Sequence, residues 1–271
     1  MSNEISDFRS DTVTNPSSAM LEAMCQAVVG DDDYGDDPTV KALEEKIAYL
    51  FDKPSALFLP SGTQSNLIAL LTHCQRGEEV ITGKEYHIFA WEGGGASTLG
   101  GIIVNPLMTD ETGGINLEEL TLSIKRGSNH EPTTKLLSLE NTFCGIVQPM
   151  ERLKDLTQIA RLNNLSTHLD GARLANAVVK TGISFKTYGK LFDTISLCLS
   201  KGLGAPVGSV LVGGPDFMKK PVFAKNGGRD APVWILNAGL YAVEHNLQRL
   251  NKDQKLQSCR KALKKNSFWC H

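Results

Sequence analysis

Residues 194–212 read Thr194-Ile-Ser-Leu-Cys-Leu-Ser-Lys-Gly-Leu-Gly-Ala-Pro-Val-Gly-Ser-Val-Leu-Val212: an apolar run, a lysine, a glycine-rich turn and a second apolar run. Both runs are short and bounded by turn residues, the pattern of strands buried on two faces. Lys201 stands where the first one ends. Outward from here, similar runs recur at Ala56–Leu59, Val80–Thr82, Gly101–Val104 and Leu136–Leu139. Between them Val40, Leu43, Ile47 and Leu50 keep helical spacing, as do Leu153, Leu156, Ile159 and Leu162. Strand and helix alternate, so the expected fold is α/β with a mainly parallel sheet. Asp37-Pro38 and Ser61-Gly62-Thr63 mark helix starts, proline suiting the first helical position and the small polar residues a cap.

The 271 residues allow one large domain and an appendage. With 28 basic and 30 acidic side chains the formal charge is −2, so there is no excess to attract a nucleic acid or an acidic membrane. Cys25, Cys74, Cys144, Cys198, Cys259 and Cys270 form no CxxC pair, which disfavours a zinc ribbon or a disulfide framework and fits a reducing compartment. The first ten residues are polar and carry Glu4, Asp7 and Arg9 instead of an apolar signal core. The longest uncharged run, Pro54 to Gln75, is interrupted by Ser61 through Asn66 and does not read as a membrane span. A cytosolic enzyme or binding protein is expected.

Three stretches can carry chemistry. A lysine is costly to bury, and in an apolar setting its neutral amine attacks a carbonyl to form a Schiff base, so Lys201 is a candidate; the plainer reading is a solvated loop lysine. Asp170, in Thr167-His-Leu-Asp-Gly-Ala-Arg173, stands at another strand end. There it can hold a protonated pyridine nitrogen, or else cap a turn or pair with Arg173. Ser61-Gly62-Thr63 opens a helix whose free N–H groups suit a phosphate, although such a triplet is also a routine cap. Taken singly each is weak; together they supply a phosphate cradle, a pyridinium partner and a Schiff-base lysine. The acids Asp31, Asp32, Asp33, Asp36 and Asp37 lack the ligand spacing of a calcium loop and read as a loop and helix cap, so no metal site is expected.

At this point the chain resembles the low-specificity threonine aldolases, pyridoxal-phosphate enzymes of fold type I. The blocks that carry the resemblance are Arg9-Ser-Asp-Thr-Val-Thr14, Gly30 to Thr39, Ser61-Gly-Thr-Gln-Ser-Asn66, Glu92-Gly-Gly-Gly95, Leu139-Glu-Asn-Thr142, His168-Leu-Asp-Gly-Ala-Arg173 and Leu199-Ser-Lys-Gly-Leu-Gly-Ala-Pro206. They follow one another in the expected order over residues 7–215. The resemblance implies a large cofactor domain over 39–215 behind an N-terminal arm, 1–38. It also implies that 216–271 holds a disrupted segment and only the start of a small C-terminal domain. By the same resemblance Lys201 carries the pyridoxal phosphate, Asp170 pairs with its ring nitrogen, Gly62 and Thr63 bind its phosphate and His87 stacks on its ring. Arg173 and Ser10 match positions that hold the substrate carboxylate, and Tyr34 matches one that lines the site. The implied reaction is retro-aldol cleavage of threonine or allo-threonine to glycine and acetaldehyde, in a cytosolic homotetramer serving threonine catabolism and glycine formation.

The chain departs from the family in three places. Phe143 stands where a histidine normally contacts the substrate hydroxyl, so deprotonation falls to His87 or water and cleavage is expected to be weak. Residues 226–234 replace a Gly-Gly-Met-Arg-Gln block, and codons exist for Gly228 to Val233 that restore that block when read one nucleotide later, so a local frameshift is expected. By the resemblance, a small C-terminal domain supplying a second carboxylate-binding arginine is expected to follow, and only its start is expected within these residues. These departures keep two alternatives open: an inactive remnant, and, with less support, a β-eliminating lyase.

Overall fold

The computed structural model describes Asp7 and residues 9–32, 34–218 and 236–251. The altered block at 226–234, Asp33 and the basic stretch from Lys255 to Lys265 lie outside the described residues. Helices α1 (Ser18–Cys25) and α2 (Pro38–Phe51) lead into strand β1 (Ser55–Leu59), followed by α3 (Gly62–His73) and β2 (Glu79–Gly83). Then come α4 (His87–Ala90), α5 (Gly95–Gly100), β3 (Ile103–Leu107), α6 (Leu117–Ser123), β4 (Thr134–Glu140), α7 (Met150–Leu162) and β5 (Ser166–Asp170). After α8 (Leu174–Thr181) and α9 (Phe185–Leu191) the chain runs through β6 (Thr194–Cys198), β7 (Ser209–Gly213), α10 (Pro215–Met218) and α11 (Leu236–Tyr241).

Among the described residues the strands form one sheet in the order β1-β7-β6-β5-β4-β2-β3. It is parallel from β6 to β3, and β7 alone runs antiparallel to both its neighbours. The expected α/β class with a mainly parallel sheet is therefore found. The reversal has a local cause: Leu199 N–H donates to Gly208 O at 2.9 Å and Gly204 N–H to Lys201 O at 2.8 Å, folding the glycine-rich turn into a tight return. Lys201 is thus on a loop between two antiparallel strands.

Side-chain alternation explains why helices cover both faces. Ile81, Leu137, Val210 and Val212 face a core with α2, α7, α8, α9 and α11, while Val80, Leu136 and Leu211 face α3 and α5. Two expectations shift in detail. The run at Gly101–Val104 becomes β3 only from Ile103, because Gly101 adopts φ 62° at the end of α5; β3 then continues through Pro106, tolerable on an edge strand. The buried stripe of α7 is Leu153, Leu156, Thr157 and Ala160, and Leu162 is left 75% exposed, because spacing by three alone drifts off a 3.6-residue turn. Both expected helix starts hold: Asp37 Oδ1 accepts Val40 N–H at 2.7 Å with Pro38 behind it, and Ser61 Oγ accepts Gln64 N–H at 3.2 Å.

Candidate active site

In a parallel sheet the carboxyl ends of the strands gather at one edge, and the candidate residues meet there. Glu140 ends β4, Asp170 ends β5 beside it in register, and Lys201 follows β6 by three residues. The face of β5 and β6 toward α3 is polar. It presents His168, Asp170, Thr194 and Ser196, all buried, and such a layer is tolerable only if its hydrogen bonds are made.

Asn66, on the first turns of α3, makes most of them. Its amide donates to Asp170 Oδ2 and to Glu92 Oε1, each at 2.8 Å, and its carbonyl oxygen accepts from Ser196 Oγ at 2.8 Å and lies 3.2 Å from His168 Nε2. The other His168 nitrogen lies 2.9 Å from Thr194 Oγ1, and burial pushes this histidine down to about 4, so it is neutral near pH 7. Asp170 also accepts Ala172 N–H at 3.0 Å, which fixes both carboxylate oxygens.

His87 opens α4. Its Nδ1 lies 2.8 Å from Glu92 Oε1, and its backbone N–H donates to Glu140 Oε2 at 2.6 Å. The bond to Glu92 raises the imidazole above its ordinary value, and burial raises Glu92 in turn. Burial also pushes Glu140 up to about 8, with the Asp170 charge adding to the effect. His87, Glu92 and Asp170 have ligand atoms within 4.8 Å of one another, but these atoms are already bonded to each other or to Asn66.

Gly62 begins α3 directly against β6: a Cβ here would stand 2.6 Å from Cys198 Sγ, so only glycine lets the helix N-terminus come this close. The first N–H groups of a helix have no intrahelical partner, which leaves those of Gly62 and Thr63 available to an anion. Arg173, three residues past Asp170, pairs with Asp11 of the N-terminal arm: Nη2 lies 2.7 Å and Nε 3.0 Å from Oδ1, and Nε lies 3.1 Å from Oδ2. The sequence reading allowed Arg173 to pair with Asp170, and the partner is instead far upstream. Asp11 Oδ2 also accepts Gly202 N–H at 3.2 Å, while Arg249 Nη2 donates to Gly202 O at 3.0 Å, so the peptide beside Lys201 is held from both sides.

Three further residues singled out in the sequence lie outside this hydrogen-bonded cluster. Ser10 caps the short turn Asp11–Val13, its Oγ accepting Thr12 N–H at 3.3 Å. Tyr34 is 80% exposed on the loop before α2. Phe143 is buried, its ring 6.0 Å from that of Tyr86 and against Gly113. Asp37 accepts Val40 N–H and, at 2.6 Å, Gly30 N–H, while Asp31 accepts Tyr34 N–H at 3.3 Å, the loop-and-cap bonding expected of the acidic group. A separate cavity of about 270 Å³, lined by Lys125, Arg126 and Lys135 among others, lies at the amino ends of β4 and β5, opposite this site.

A buried carboxylate fixed on both oxygens, a lysine, a carboxylate-backed imidazole and a helix N-terminus with free N–H groups, brought against β6 by Gly62, suit pyridoxal phosphate. The family model described as beta-eliminating lyase matches residues 7–266. The chain is 49% identical over 250 residues to the low specificity L-threonine aldolase of Escherichia coli (strain K12), covering 91% of this chain and 75% of that protein. It is 43% identical over 258 residues to low-specificity L-threonine aldolase 1 of Arabidopsis thaliana, covering 92% and 72%. In fold it is similar to the Leishmania major threonine aldolase, with a TM-score of 0.80 at 22% identity over 93% of this chain and 77% of that one. A serine palmitoyltransferase from S. paucimobilis, solved with bound PLP and myriocin, shares the fold at a TM-score of 0.67 and 18% identity over 93% and 62%.

Proposed function

The chain belongs to the β-eliminating lyase family and, within it, to the low-specificity threonine aldolases, and from that premise we propose that it binds pyridoxal phosphate and cleaves threonine or allo-threonine to glycine and acetaldehyde. The observation that carries this reading is the convergence of Lys201, Asp170 and His87 at one sheet edge, with Asp170 and His87 joined through Asn66 and Glu92.

Bound here, pyridoxal phosphate supplies an electron sink for the pair released as the Cα–Cβ bond breaks. Lys201 would hold it through its amine, the group suited to a Schiff base with the cofactor's aldehyde. Asp170 keeps the ring nitrogen protonated; Asn66 and the Ala172 N–H hold the carboxylate in place for this. Gly62 and Thr63 take the phosphate at the N-terminus of α3. His87 would stack on the ring, as the resemblance implies. With Nδ1–H committed to Glu92, its Nε2 carries the lone pair and takes the substrate's hydroxyl proton, directly or through water. Arg173 and Ser10 would receive the substrate carboxylate and so orient the substrate for cleavage.

Tyr34, with Val28 and Val29 near it at 68% and 55% exposure, supports a homo-oligomer, tetrameric as the resemblance implies, in which Tyr34 lines a site. Among the described residues no helix is long and apolar enough to cross a membrane, and the composition supports work in the cytosol. A second reading rests on Phe143, which has no proton to relay: the chain binds cofactor but cleaves little.

Incubating the purified protein with pyridoxal phosphate should produce the visible absorbance of lysine-bound cofactor, absent in Lys201→Ala, and threonine should then yield acetaldehyde. Absorbance without acetaldehyde leaves the second reading; no absorbance in the unaltered chain removes both.

A further inference from the structure

We infer that Asp11 is a positioning residue for substrate binding: its carboxylate aims the Arg173 guanidinium at the substrate's α-carboxylate and ties that group to the loop carrying Lys201. This rests on the reading of Arg173 and Lys201 given above.

One edge of the guanidinium faces Asp11. Arg173 meets Asp11 through Nε at 3.0 and 3.1 Å and through Nη2 at 2.7 Å. A guanidinium has five N–H donors in a fixed plane. The side edge is spent on Asp11, so both hydrogens of Nη1 and the outer one of Nη2 remain for a second carboxylate. Both partners of the pair are about a quarter exposed, at 29% and 26%, so the arginine is open to an incoming ligand while its orientation is held.

Asp11 is itself well fixed. It starts the short turn Asp11–Val13, whose first N–H groups are served by Ser10, and its carbonyl accepts Thr14 N–H at 3.2 Å and Thr14 Oγ1–H at 2.7 Å. Its Oδ2 also accepts Gly202 N–H at 3.2 Å. One carboxylate therefore sets the spacing between the group that receives the substrate's carboxylate and the residue next to the lysine that its amine must reach. In a reaction whose outcome depends on which bond stands perpendicular to the cofactor ring, that spacing matters directly.

A different role is possible for the same contact: Asp11 as a plug that occupies the arginine until substrate displaces it. The two roles predict opposite changes in affinity. The test titrates the cofactor's absorbance in the full-length holoenzyme with glycine and with methylamine, which is glycine without its carboxylate. Asp11→Asn should weaken glycine binding about tenfold, as expected for loss of a charge-assisted contact of about 1.4 kcal/mol. Methylamine binding should change less than about twofold, well under that same energy, and Asp11→Glu should restore part of the glycine affinity. In Arg173→Ala, adding Asp11→Asn should weaken glycine no further. Tighter glycine binding in Asp11→Asn would establish the plug, and equal weakening of glycine and methylamine would reduce Asp11 to a structural role; either overturns the inference. If Asp11→Asn does not fold, Asp11→Glu carries the test, with glycine weakened and methylamine unchanged. A wild-type chain that takes up no cofactor refutes the proposed function itself, whereas cofactor uptake with glycine binding indifferent to Arg173→Ala overturns this inference alone.

Discussion

Replacing Asn66 by leucine keeps the branched skeleton of the side chain, with somewhat greater bulk, but removes its polar atoms from the centre of the α3–β5–β6 layer. Asn66 makes three hydrogen bonds of 2.8 Å and a fourth contact of 3.2 Å. Two partners retain another bond: Glu92 keeps His87, and His168 keeps Thr194. Asp170 Oδ2 and Ser196 Oγ lose theirs and remain buried. A buried group left unsatisfied costs about 1–3 kcal/mol, more when charged, so the variant should lose roughly 3–5 kcal/mol. For a chain of this size that is a fall of about 10 °C in Tm, taking roughly 2–4 °C per kcal/mol. Urea denaturation of the cofactor-free protein gives the same quantity independently. Asn66→Asp is the sharper companion, because it puts a third carboxylate between Glu92 and Asp170. Its aspartate should hold a proton in the folded state well above the ordinary carboxylate range, so the variant should regain stability as pH falls from 8 toward 5. A leucine variant within 1 kcal/mol of wild type at pH 7, a bound set below the cost of even one orphaned group, would refute the idea that Asn66 holds this layer together.

Three other perturbations test separate parts of the site. Gly62→Ala should clash with Cys198 Sγ and weaken cofactor binding by about tenfold or more, at a cost of roughly 1–3 kcal/mol; adding Cys198→Ala should recover stability, and failure to do so would show that the contact is not the cause. Folding favours the protonated form of Glu140, whose value rises from the ordinary carboxylate range to about 8, so its contribution is fully present at low pH and is lost as pH climbs to about 8. Glu140→Gln should therefore flatten the stability of cofactor-free protein across that window, and parallel curves for the two proteins would count against it. Buried His168, held down to about 4, slopes the other way below pH 6.5 in both proteins and cancels from the comparison. Phe143→His should raise threonine cleavage, by up to the roughly 10²–10⁴ that a positioned acid or base supplies, while lowering stability because the ring is packed against Tyr86; equal rates would show that residue 143 does not limit the reaction.

Much of the fold was legible because its signals are local. Strand runs, the Asp37 and Ser61 caps and the glycine turn after Lys201 are each decided within a few residues, and the structure follows them. The site was legible only in part. Lys201 and Asp170 end strands, and strand ends of a parallel sheet converge, so their meeting follows from topology. Asn66, Glu92 and Asp11 stood inside recognised blocks, yet their roles depend on partners far along the chain: Asn66 with Asp170 and Ser196, Asp11 with Arg173. Asparagine on a helix and aspartate in a polar arm carry no periodicity that marks such a partner. A weak signal existed for Asn66, since alternate residues of β5 and β6 are polar where an apolar face would be expected, and a buried polar face requires a donor and acceptor opposite it.

The two-sided hold on Gly202 has a bearing on how the protein is made. Asp11 leaves the ribosome at the start of synthesis, and Arg249 emerges almost two hundred and forty residues later. The lysine loop itself is made some 47 residues before Arg249, so at roughly 5–20 residues per second it waits on the order of 2–10 s for its second anchor. In that interval the nascent chain carries a nearly complete sheet, with the loop that bears Lys201 tethered on one side only. Pyridoxal phosphate arriving in that interval would meet a lysine loop anchored only through Asp11, so the socket is completed by one of the last described residues to be made.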